Sequence, residues 1–133
     1  VNRFLPVYCL VVGAMDLATG LLLIGTPIGT LRLMGIAAAP AEPIYLRFVG
    51  VFVAATGSLY LLPWVGGSVS GGMPRARSVL EATALVRACV AAFVTASIAS
   101  GALEPAWASV ALTDGVLALA QALLLRRVAD HAS

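Results

Sequence analysis

The apolar positions of this chain gather into four long blocks, separated by segments rich in proline, glycine and charge. They cover about residues 4–25, 44–65, 78–100 and 106–125. Each supplies roughly 20 mostly apolar residues, the length an α-helix needs to cross a hydrocarbon core. The pattern predicts an all-α integral membrane four-helix bundle, built as a single transmembrane domain over residues 1–133. Arg3 ahead of the first block gives it the look of a signal peptide, and Ala37, Ala38 and Ala39 could pass for a cleavage site. The apolar run exceeds the roughly 7–15 residues of a signal core, and a polar segment separates it from those alanines, so it is read as a retained first span.

Periodicity inside the blocks predicts which faces meet. Cys9, Gly13, Asp16 and Gly20 recur at helical spacing on one face of the first block, where small residues beside a carboxylate predict close contact with another helix. Residues 26–43 open on Thr26-Pro27 and close on two prolines; they are too short to span and suit either a short interfacial helix around residues 31–36, with Arg32 toward the headgroups, or an irregular loop. The second block aligns Arg47, Gly50, Ala54 and Gly57, then ends in Tyr60, Pro63 and Trp64, aromatics suited to the headgroup boundary. Arg47 lies one turn inside and can snorkel to the surface. Residues 66–76 are glycine-rich, lack phosphate-loop spacing and are read as a turn.

The third block interleaves two stripes. One is Ala84, Ala88, Ala92, Ala96 and Ser100; the other is Thr83, Arg87, Ala91, Thr95 and Ala99. So many small residues predict that this helix is the most enclosed of the four. Glu81 follows Arg77 by one turn, which predicts an interfacial pair. After Glu104 and Pro105 the fourth block sets Trp107, Ala111, Asp114, Ala118 and Gln121 on a shared face.

A chain that is 61% hydrophobic and 11% charged is no ordinary soluble domain. Its eight cations are all arginines, but the net charge is only +2 and no dense basic face exists to neutralise phosphates along a nucleic acid. Arg3, Arg75, Arg77, Arg126 and Arg127 fall on one side of a four-span topology and Arg32 on the other, which predicts that both termini are cytoplasmic.

Asp16, Arg87 and Asp114 each lie about nine residues from a span end, roughly 13 Å deep. With Arg47 they make two cations and two anions, and Gln121 points the same way as Asp114. An arginine at that depth costs a few kcal/mol unless a partner answers it. These residues are therefore the candidate ligand-binding or ion-pair core: a polar pocket or proton path on one reading, a charge cluster that fixes helix register on the other. The lone histidine, His131, cannot build a bis-histidine haem site, a zinc site or an acyl-transfer triad. No metal site is expected. Cys9 and Cys89 are read as packing residues.

YLRFVGVFVAATGSLYLLP in the second block, the arginine of ALVRACVAAF, and TDGVLALAQALLLRR in the fourth resemble the DoxX-like group of small bacterial four-helix membrane proteins. The resemblance implies a four-helix bundle in the bacterial inner membrane and an accessory role beside a quinone-linked enzyme, with Arg47, Arg87 and Asp114 as pocket residues. The sequence thus supports a non-catalytic accessory subunit or binding module for a quinone, a lipid or a partner membrane protein. The alternative is a small proton or solute transporter working through the Asp/Arg set, an activity for which homo-oligomerisation would supply room.

Overall fold

The computed structural model describes residues 3–65 and 69–130. These residues form α1 (Phe4–Gly25), α2 (Pro27–Leu33), α3 (Ile44–Leu61), α4 (Val69–Ala99) and α5 (Ala108–Asp130), with single 3-10 turns at Leu62–Trp64 and Pro105–Trp107. The protein is all-α, and four of its helical segments are long and apolar enough to cross a membrane: Phe4–Gly25, Ile44–Trp64, Gly72–Ala99 and Pro105–Ala129. Many large apolar side chains point outward along them, among them Phe4, Leu10, Phe48, Phe52, Leu85, Phe93, Leu112 and Leu119, as lipid-facing surfaces require. Internal contacts divide the chain into two units, Asn2–Ala76 and Arg77–Ser133.

In the N-terminal unit α1 and α3 run antiparallel and touch along a glycine seam. The buried residues of α1 include Cys9, Gly13, Asp16 and Gly20, the face that the spacing predicts. Gly13 lies opposite Gly57, and Gly20 opposite Gly50. A methyl group on Gly20 would come within 2.6 Å of the Gly50 carbonyl oxygen, and one on Gly57 within 2.7 Å of that of Gly13. The missing side chains are therefore what let the two backbones meet.

Between these helices α2 is separated from α1 by Thr26 alone, with Pro27 at its first position and so no N–H lost from the helical ladder. It ends in a Schellman motif: Ile36 N–H donates to Leu31 O at 2.9 Å, Gly35 N–H to Arg32 O at 3.0 Å, and Gly35 takes φ +79°. Leu31 and Ile36 are both buried, the apolar pairing this motif favours. The short helix is thus real but lies earlier than residues 31–36.

Residues 66–76 are not a turn throughout. α4 already begins at Val69, nine residues before the expected start at 78, and residues 66–68 lie outside the described residues. Local propensity argues against helix here, with Gly71, Gly72 and Pro74 in sequence. Packing overrides it: a methyl group on Gly72 would come within 2.6 Å of the Pro63 carbonyl oxygen and 3.0 Å of the Trp64 ring. Only a glycine fits beneath the preceding 3-10 turn.

In the C-terminal unit α4 stops in a second Schellman motif, with Ala102 N–H on Ser97 O at 2.9 Å, Gly101 N–H on Ile98 O at 3.0 Å, and Gly101 at φ +77°. The chain then reverses through Glu104 and Pro105 into α5.

The expectation that the third span is the most enclosed is overturned: α1 is more buried than α4. Ala88, Ala92 and Ala96 are exposed, while Leu80, Thr83, Arg87 and Val94 are buried. Arg87 must be answered inside the protein, and a helix that turns Arg87 inward turns the alanine row, about 100° away, outward. Alanine facing lipid costs little, whereas an unanswered arginine there costs several kcal/mol, roughly.

Candidate functional site

The site is built on antiparallel α4 and α5. Thr83 and Arg87 are one turn apart on α4, and Asp114 and Gln121 are two turns apart on α5, so each helix brings two polar groups to one face. Arg87 Nη1 donates to Asp114 Oδ1 at 2.5 Å, with the side chains 6% and 18% exposed. The contact is a charge-assisted bond that neutralises both partners within the span. Gln121, wholly buried, donates from Nε2 to Thr83 Oγ1 at 2.9 Å, and that hydroxyl donates to the Val79 carbonyl at 2.7 Å. The hydroxyl can take the Gln121 bond because its own proton is spent on its helix.

Asp16 and Arg47 belong to the N-terminal unit. Asp16 is buried, 8% exposed, on the α1 face opposite Gly57. Arg47 is exposed, and its Nη1 donates to the Ile24 carbonyl at 2.7 Å. That carbonyl lies in the last turn of α1, where a cation meets unpaired C=O groups and the negative end of the helix dipole. Ile24 is eight residues beyond Asp16, about 12 Å along the helix. Arg47 therefore does not share the height of Asp16. It ties the start of α3 to the end of α1.

The sequence placed Thr83 on a polar stripe but did not mark it as a partner. Its signal was available: among the residues facing Arg87's stripe it is a hydroxyl one turn away, suited to the amide of Gln121. Trp64 buries its indole Nε1–H beside the Cys9 thiol. Arg77 and Glu81 form the expected exposed pair, Nε to Oε1 at 3.1 Å.

Chemically, the α4/α5 face offers a neutralised guanidinium–carboxylate pair and an amide–hydroxyl pair. It can exchange hydrogen bonds with a polar guest, and it holds no cluster of three metal-ligating side chains among the described residues. No family model, curated protein or solved structure matches this chain.

Proposed function

We propose that the chain is a non-catalytic membrane module, an accessory subunit or binding module, whose α4/α5 polar face receives the headgroup of a quinone or lipid or a polar group of a partner membrane protein. The observation that carries this reading is the Arg87–Asp114 pair, buried in an apolar helix pair with the carboxylate still part-exposed at 18%. An intramembrane charge pair of this kind by default marks a functional position. A quinone carbonyl or a phosphate ester would add an acceptor to Arg87, and exposed Leu112, Val116 and Leu119 on α5 suit an apolar tail. The resemblance to the DoxX-like group adds an accessory role in a bacterial inner membrane, and the arginine distribution adds cytoplasmic termini.

Native mass spectrometry of gently purified protein tests the reading. A retained adduct or co-purifying subunit is expected, lost in folded Arg87→Leu protein and kept in Arg87→Lys. A bare monomer that drives proton or solute flux in liposomes, abolished by Asp114→Asn, would replace this reading with the transporter. Reporter fusions after Ser133 and within residues 29–40 test the orientation; a C-terminal fusion active outside the cytoplasm would reverse it.

A further inference from the structure

The two ends of the α4/α5 pair differ in charge. At one end Arg77 opens the C-terminal unit on α4, and Arg126 and Arg127 close α5; all three are exposed. Glu81 and Asp130 are the acids at that end. At the other end, between α4 and α5, Glu104 is the only charged residue in the sequence from Ser100 to Trp107. The antiparallel register set by Arg87 with Asp114 and Thr83 with Gln121 brings Arg77 level with the last turns of α5.

Depth then decides what the arginines meet. Arg77 is ten residues from Arg87, about 15 Å along α4, and Arg126 is twelve residues from Asp114, about 18 Å along α5. Half of a hydrocarbon core is about 15 Å. With the Arg87–Asp114 pair near the midplane, the arginines emerge at the level of the lipid phosphates, while exposed Leu119, Leu123 and Leu85 lie below them at acyl-chain depth.

From this placement we infer that the arginine end of α4/α5 binds the phosphodiester of an anionic phospholipid. Guanidinium groups match phosphate oxygens in two-point hydrogen bonds, and adjacent Arg126 and Arg127 place two of them at one height. A zwitterionic lipid brings its own ammonium to the same phosphate, so an arginine cluster favours the anionic headgroup. The leucines beneath favour a lipid over free phosphate. This interaction is separate from the ligand proposed for the Arg87–Asp114 face, and the two can fail independently.

The test is native mass spectrometry of protein released from nanodiscs containing equal phosphatidylglycerol and phosphatidylcholine. Wild type should retain phosphatidylglycerol preferentially, by roughly fivefold for each arginine engaged. Arg126→Gln with Arg127→Gln should remove most of that preference, while Arg126→Lys with Arg127→Lys, which keeps the charge but not the two-point geometry, should retain only part of it. Because these side chains are exposed, the variants should melt in detergent like the parent, which separates lost binding from lost fold. Equal retention of both lipids by wild type, an unchanged preference in the double Gln variant, or displacement of the lipid by millimolar inorganic phosphate would each overturn the inference.

Discussion

The two helix pairs of this protein solve the same problem by opposite means. α1 and α3 approach through absent side chains, with Gly13 against Gly57 and Gly20 against Gly50. α4 and α5 are joined by polar side chains that reach across, Arg87 to Asp114 and Gln121 to Thr83. In lipid there is little hydrophobic gain from helix association, so close packing and hydrogen bonding are the two remaining sources of attraction. A glycine seam is non-polar and depends on shape, so any added carbon damages it. A polar clasp depends on complementarity, so removal of one partner leaves the other stranded.

The sharpest break of this comparison is Arg87→Leu. It should strand Asp114 and cost about 3–5 kcal/mol, read as a fall in the thermal unfolding midpoint in detergent. Arg87→Leu combined with Asp114→Leu should recover much of the loss, because the penalty comes from the uncompensated charge. If each single variant melts like the parent, the pair does not hold α4 and α5 together.

Gly20→Ala comes next. The new methyl would press on the Gly50 carbonyl and on α3 backbone, with no flexible side chain to yield, so about 1–3 kcal/mol of stability should be lost. A midpoint equal to that of the parent would mean that α1 and α3 separate at little cost, and the seam would lose its role.

A smaller effect separates the two parts of the clasp. Gln121→Leu removes a neutral hydrogen bond, leaves Thr83 bonded to the Val79 carbonyl, and should cost about 0.6 kcal/mol, the usual worth of such a bond between spans. A loss as large as that from Arg87→Leu would move the centre of the site to Gln121 and Thr83.

The smallest effect is at Gly115. On α5 a methyl group there meets, among the described residues, only the Ala91 Cβ, at 4.0 Å. Gly115→Ala should therefore cost nothing and gain up to about 1 kcal/mol from helix propensity. Loss of stability at this position would show that glycine matters equally in both pairs.

Much of this organisation is legible in the sequence because membrane helices obey strong one-dimensional constraints. Span length follows from bilayer thickness, and a face follows from a 3.6-residue period. That is why residues 4–25 mark α1 and why Cys9, Gly13, Asp16 and Gly20 share its buried face. The same periodicity sets Asp114 and Gln121 together on α5. The rest is legible only in three dimensions. Arg47 has the same charge as Arg87, yet its partner is a backbone carbonyl from α1, and a carbonyl carries no sequence signature.

The sequence by itself determined that the chain is helical and apolar enough for a membrane, and that a buried arginine needed an acid. It offered Asp16 and Asp114, singly or together, as acids at comparable depth. Tertiary structure brought Asp114 onto Arg87, turned the alanine row of α4 outward, and drew residues 69–77 into helix against their glycine and proline content. The physical reason is common to all three. Periodicity ranks the faces of a single helix, whereas the choice among comparable faces depends on backbone approaches of a few ångströms between segments distant in sequence, as between Gly72 and Pro63 or Gly20 and Gly50.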